Sequence, residues 1–261
     1  MINVLFFIIC FGASIIGAIC GIGGGVIIKP LLDTFGVMDV NTISFLSGCT
    51  VLSMTTYSVI KMKTSGVSNI DNKISIPMAA GAALGGLIGK SMYSMIQAMS
   101  ADPNRIGAIQ ASCLTVVTIG TLVYTIYKDK IHTYELKNRI MCVIIGAVLG
   151  ILSAFLGIGG GPINLVVLFF FFSMNMKTAA ETSLYMIFFS QLTSLLSTIA
   201  TKSVPEFSVF LLVLMVIGGI LGGKCGRDLN NRITEQIVSK LFIGLMVVMI
   251  VINVYNIYQF L

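Results

Sequence analysis

Gly21-Ile22-Gly23-Gly24-Gly25 and Gly157-Ile158-Gly159-Gly160-Gly161 are the same short motif, and each lies inside a strongly apolar region. Glycine costs about 1 kcal/mol relative to alanine in a helix interior, so four glycines in five residues predict a helix break. Irregular backbone at membrane depth is tolerated only where protein or a water-filled cavity satisfies its polar groups. The segments that follow begin near Val26 and at Pro162, and proline suits a first helical position because the N–H it lacks had no partner there. Their N-termini would carry free N–H groups and about half a positive charge each. Two such ends converging, with no side chains at the glycines to hold a ligand off, suit a small anion.

Lys29 sits one turn into the first of these segments, among Val26, Ile27, Ile28, Leu31 and Leu32. A lysine at the centre of a membrane helix costs about 2.5–3.5 kcal/mol. It either contacts an anionic substrate, or snorkels to an interface, or pairs with Asp33. The equivalent position after the second motif is Leu165, so the charge is not duplicated. The spans that follow carry hydroxyls and amides, which can hold an oxyanion without adding negative charge, although bonding to helix carbonyls is the expected role of most of them. Ser47 and Ser183 occupy matching positions. With Gln191 and Asn164 they complete the expected substrate-binding set: Gly23, Gly24, Gly25, Lys29, Ser47, Gly159, Gly160, Gly161, Asn164, Ser183 and Gln191. Glu181 is read as a headgroup-level carboxylate, with proton coupling as the other reading.

The elements that must position these residues are membrane helices. The chain of 261 residues is 56% hydrophobic and 10% charged, against about 25% charged in soluble domains, and apolar runs near 20 residues recur along it. Segments are expected at 2–20, 26–36, 40–60, 74–98, 105–127, 139–156, 162–174, 177–200, 207–225 and 234–259. Polar punctuation falls at Lys61–Lys73, Asp102–Asn104, Lys128–Arg139, Lys202–Glu206 and Lys224–Arg232. The first run has no basic residue before it and no convincing cleavage site, so it is read as a membrane segment rather than a removed signal. The fold class is therefore all-α, a polytopic transmembrane bundle.

The net charge of +6 is spread over short loops, which points to membrane topology rather than nucleic acid. The six cysteines show no metal or disulfide spacing, and His132 lies in a charged loop. No cofactor is expected. No catalytic set stands out, and neither glycine motif is followed by the Gly-Lys-Ser/Thr of a phosphate loop, so an enzyme is disfavoured. An anion-selective channel is the alternative, because broken helices also build selectivity filters.

The repeat runs beyond the glycine motifs. Gly81, Gly85, Gly89 and Lys90 match Gly218, Gly222, Gly226 and Arg227. Small residues four apart let helix backbones approach closely in lipid, and packing is the favoured role of both stripes. Residues 1–130 and 131–261 are read as two repeats of one membrane domain. If each glycine motif joins segments that double back, one face collects Lys61, Lys63, Lys73, Lys128, Lys130, Lys137, Arg139, Lys177, Lys224, Arg227, Arg232 and Lys240. The other face gets only Lys90, Arg105 and Lys202. Four passes per half would split the same charges almost evenly. The positive-inside rule prefers the first arrangement, which makes the repeats inverted and puts both termini outside.

On Gly21-Ile-Gly-Gly-Gly-Val-Ile-Ile-Lys-Pro30-Leu-Leu, the second Gly157-Ile-Gly-Gly-Gly, the segment Lys177-Thr-Ala-Ala-Glu-Thr-Ser183 and the late Gly218-Gly-Ile-Leu-Gly222-Gly, the chain resembles the sulfite exporter TauE/SafE family over essentially its whole length. The resemblance implies a bacterial inner-membrane secondary transporter of about seven to nine spans, driven by an ion gradient. It implies substrates such as sulfite, thiosulfate or organosulfonates, and a coupling ion, proton or sodium. Membrane lipids are the other expected partner, nucleic acid is not, and homodimerisation stays open. The chain departs from an even repeat at Asn164-Leu165-Val166, which stands where the first half has Ile28-Lys29-Pro30.

Overall fold

The computed structural model describes residues 2–64, 70–99, 103–158 and 160–260. Gly159 and the stretches 65–69 and 100–102 lie outside the described residues. Among the described residues ten α-helices follow one another: α1 (Ile2–Cys20), α2 (Gly25–Phe35), α3 (Val40–Thr64), α4 (Asn72–Met99), α5 (Pro103–Tyr127), α6 (Arg139–Leu156), α7 (Pro162–Phe172), α8 (Met176–Ala200), α9 (Val209–Asn230) and α10 (Glu235–Phe260). Among the described residues there is no strand. Seven of the helices are long and apolar enough to cross a membrane, while α7 is a shorter apolar helix. Isoleucines, valines, leucines and tyrosines stand exposed along the outer faces of the bundle, as a lipid-facing surface requires. The protein is an all-helical, multi-pass membrane protein.

The elements match the expected segments, with differences at the ends. Helix α3 continues to Thr64 and α9 to Asn230. Their basic residues do not end these helices, because lysine and arginine are good helix formers and favour the last turn. Helix α7 stops at Phe172 because Ser173 turns left-handed, φ 49°. Glycines close α2 and α6: Gly36 and Gly157 take positive φ, 58° and 66°, where other residues are strained. Asparagines open α6 and α8, where the side chains of Asn138 and Asn175 accept from the amides of Ile140 and Thr178.

Glycine stripes set the packing. A Cβ on Gly81, Gly85 or Gly89 of α4 would fall 2.1, 2.1 or 2.5 Å from the carbonyl oxygens of Val143, Ala147 or Ile151 on α6. On α9, a Cβ on Gly222 or Gly226 would fall 2.4 Å from those of Phe11 or Ile15 on α1, and Gly218 lies against Phe7. Both helix pairs run parallel with backbones nearly touching, so packing accounts for the stripes. Helix α4 also rests on α8, α9 on α3, and α5 runs beside α10. Most serine and threonine hydroxyls of α3 bond carbonyls of their own helix, as Thr50 does to Leu46 and Thr55 to Val51, and on α8 Thr193 and Thr198 do the same to Phe189 and Ser194.

These pairings fix which helix ends lie together. The end of α3, the α5–α6 and α7–α8 turns and the α9–α10 turn, with most of the lysines and arginines, form a basic end. The α3 start, the 201–206 loop and the end of α10 lie at the opposite end, where the hydroxyl of Thr42 donates to the Glu206 carbonyl and that of Thr34 to Asn256.

Replacing Gly85 by alanine should force α4 and α6 apart and cost about 1–3 kcal/mol. Gly244→Ala, where an added Cβ meets nothing within 4 Å, should be neutral or slightly stabilising. Thermal unfolding in detergent compares the two, and equal stability would show that the stripe is not a tight contact.

Candidate functional site

The two glycine breaks meet inside the bundle. Gly21 and Gly23 turn with φ of 73° and 72°, and α2 restarts at Gly25 with no side-chain cap. A Cβ on Gly25 would sit 2.1 Å from the carbonyl oxygen of Ile158. Gly24 packs on Ser14 of α1. In the second break Gly160 takes φ 129° above the Ile187 side chain, and Gly161 packs near Ile158 and Val26. Helix α7 then starts at Pro162, also without a side-chain cap. The uncapped starts of α2 and α7 thus lie close to one another, as their sequences suggested.

Lys29 is 3% exposed, and its ammonium donates to Asp33 Oδ2 at 2.8 Å one turn along α2. Burying one charge demands its partner, and here the carboxylate supplies it. The Asp33 Oδ1 atom is buried with no hydrogen-bond partner. The lysine still reaches the second break, because a Cβ on Gly157 would lie 3.4 Å from Lys29 Cε and 3.0 Å from Ser44 Oγ.

A cavity of about 50 Å³ opens beside Gly157. One water needs about 10–15 Å³ of such space, so the cavity takes a few waters or one small oxyanion. Helix α3 contributes Ser44, Gly48 and Cys49, α4 contributes Lys90 and Tyr93, and α5 contributes Gln110. Helix α6 ends on it with Ala154 and Gly157, and α8 adds Gln191, Ser194 and Thr198. Its polar lining is all neutral except Lys90. Among the described residues no carboxylate pairs with Lys90, whose ammonium lies 5.2 Å from the centre of the Tyr93 ring. Gln110 donates to the carbonyl of Phe155 at 2.7 Å, its Oε1 is buried and unpaired, and so is Ser44 Oγ.

Lys90, Tyr93, Ser44 and Thr198 also line a second, wider hollow of about 420 Å³ at the end opposite the basic loops. Asp39, Asn41 and Glu206 lie on its rim, and Tyr93 donates a hydrogen bond to Asn41. Lys90 therefore stands at the neck between a vestibule and an inner cavity. A lone ammonium among amides and hydroxyls attracts a small anion, and charge-assisted hydrogen bonds would hold it there.

A family model for the sulfite exporter TauE/SafE matches residues 6–252. The chain belongs to that family. A probable membrane transporter protein of Methanocaldococcus jannaschii is 25% identical over 248 residues, covering 89% of this chain and 88% of that protein. A probable membrane transporter protein of Bacillus subtilis is 23% identical over 270 residues, covering 95% and 94%. No solved structure matches. With the spanning helices, these matches make the chain a membrane transporter of the TauE/SafE family, a multi-pass protein of the cell membrane.

Of the residues singled out in the sequence, Gln191 lines the cavity directly, while Gly23, Gly24, Gly25, Gly160 and Gly161 shape the break behind it. Ser47 and Ser183 are wholly buried. Ser47 Oγ has no partner, and Ser183 accepts from the Asn164 amide at 3.4 Å. None of these three reaches the cavity wall. Sequence reasoning passed over Lys90 and Gln110. Lys90 counts in the sequence only as one of the few basic residues of its membrane face and as the end of the Gly81–Gly89 motif, although that place directly after the stripe sets it on a tightly packed helix. Nothing local marks Gln110, because its role comes from α5 lying beside the end of α6.

Removing either half of the buried pair, by Lys29→Met or Asp33→Leu, should cost about 3–5 kcal/mol. The double replacement should recover most of the loss. Thermal unfolding of the three variants measures it, and a double variant as unstable as the singles would argue against a compensated pair.

Proposed function

We propose that this TauE/SafE-family transporter is a secondary carrier for a small anion, sulfur-containing as the family name suggests: sulfite, thiosulfate or an organosulfonate. The observation that carries the reading is the cavity at the second glycine break, whose one charged group is Lys90. Sulfite and its relatives present several oxygens around a compact centre. Such a group can take charge from the ammonium and hydrogen bonds from Gln191, Ser44 and Ser194. The site set is then Lys90, Gln191, Gln110, Ser44 and Gly157, with Lys29 held in reserve against Asp33.

Alternating access between two inverted repeats, about 1–130 and 131–261, is the mechanism proposed. Three features support it. Helix α4 packs on α6 just as α9 packs on α1, and the two glycine stripes touch matching residues. Gly157 lies on Ser44, and its counterpart Gly21 lies on Ala180, the residue matching Ser44. Where one half has the open cavity, Ala18, Val59, Met62 and Leu184 at matching positions of the other pack with Met54 in an apolar cluster, and Arg227, the match of Lys90, donates to the Ser58 carbonyl. Ala18 corresponds to Ala154, Leu184 to Gly48 and Met62 to Thr198. The site is thus open toward the vestibule and sealed toward the basic end, as an outward-open carrier would be if the basic end is cytoplasmic. A channel would need a continuous path through that cluster. A proton or sodium gradient would drive the cycle.

Flux of sulfite, thiosulfate and sulfoacetate into proteoliposomes tests the proposal. Saturable uptake of at least one is expected, and Lys90→Gln should raise its KM about 10–100-fold, the worth of a charged hydrogen bond. No saturable flux with any of them, or a linear ohmic current, would sink the carrier reading. Single cysteines replacing Lys63 and Lys202 report orientation in intact cells. Only the second should be labelled from outside, and the reverse would overturn the proposed orientation.

A further inference from the structure

Two hollows on the outside of the bundle meet at Tyr124, and neither belongs to the transport cavity. The first is a groove of about 490 Å³ between α5 and α7. Its walls are apolar, with Val117 and Gly120 on one side and Val166 and Phe170 on the other. Gly120 opens it: a Cβ there would meet no atom within 4 Å, so no neighbouring helix accounts for the glycine. The second hollow, about 560 Å³, lies at the basic end between the end of α5, the α7–α8 turn and the start of α10. It presents Lys128 and Lys240, the carboxylate of Glu235, and polar groups of Asn175, Ser239 and Thr133. The Tyr124 hydroxyl, at the junction, is buried without a hydrogen-bond partner.

The dimensions fit one kind of occupant. From Val117 to Lys128 along α5 is eleven residues, about 16 Å at 1.5 Å per residue. One leaflet of hydrocarbon is about 15 Å deep. The groove therefore runs from mid-membrane to the headgroup level along the direction of an acyl chain, and the lysines stand where that chain's phosphate would be. Two ammonium groups against one carboxylate leave the hollow net positive, which favours an anionic headgroup over a zwitterionic one. The unsatisfied hydroxyl of Tyr124 faces the level of the ester and phosphate oxygens.

We propose that this composite site holds an anionic phospholipid, with one acyl chain in the Gly120 groove and the phosphate between Lys128 and Lys240. It is independent of the substrate assignment. The test titrates phosphatidylglycerol and phosphatidylethanolamine against the purified full chain and counts bound lipids by native mass spectrometry. The wild type should prefer phosphatidylglycerol. At about fivefold per lysine near the headgroups, Lys128→Gln with Lys240→Gln should weaken its binding about 20- to 30-fold and remove the preference. Gly120→Leu, which projects into open space, should weaken both lipids while thermal stability in lipid-free detergent stays the same or rises slightly. Equal binding of the two lipids to the wild type, a preference kept by the double lysine variant, or unaltered lipid binding by Gly120→Leu would each overturn the proposal. Inorganic phosphate competing as well as the lipid would also overturn it, since the chain would then contribute nothing.

Discussion

A helix broken inside a membrane exposes backbone polar groups that lipid cannot satisfy, and much of this molecule follows from meeting that demand twice. Each break is set against the opposite half rather than against solvent: Gly25 lies on the carbonyl of Ile158, Gly21 on Ala180 and Gly157 on Ser44. Such closeness needs residues without side chains at the breaks and thin helices around them. The stripes on α4 and α9 supply the second requirement by letting those helices sit almost backbone to backbone on α6 and α1. The glycines of the stripes and of the breaks thus serve one geometry, in which the two irregular segments are held together at the centre of the bundle.

The electrostatics follow from the same arrangement. A fixed charge in the interior must be neutralised or put to use. Lys29 is neutralised by Asp33 within its own helix turn. Lys90 stands at the neck of a cavity lined by amides and hydroxyls, unpaired with any carboxylate among the described residues. Two lysines at membrane depth therefore have opposite roles: one holds a short helix beside the break, and the other faces the space a substrate would occupy.

Much of this was legible from residue types and spacing. The ten segments, the breaks at the glycines, the doubling back of α2 and the gathering of basic residues at one end all rest on local rules, such as hydropathy, glycine cost and charge bias, that act within a few turns. The packing role of the stripes was legible too, since spacing by four is visible in one dimension. The cavity wall was not. Gln110 and Thr198 carry no motif, and they meet only because α5 and α8 converge on the end of α6. Lys29 looked like the site's cation because it is apolar-flanked, but its fate was decided by Asp33 four residues on, one of two partners its sequence already offered.

The central claim is that a small oxyanion binds beside Gly157, in reach of Lys90 and Gln191. The most direct measurement is an experimental structure with selenite, a heavier analogue of sulfite, located by its anomalous scattering. The account predicts one peak within hydrogen-bonding distance of the Lys90 ammonium and the Gln191 amide. A peak confined to the starts of α2 and α7 or to the basic end, or no peak at concentrations that saturate flux, would contradict it.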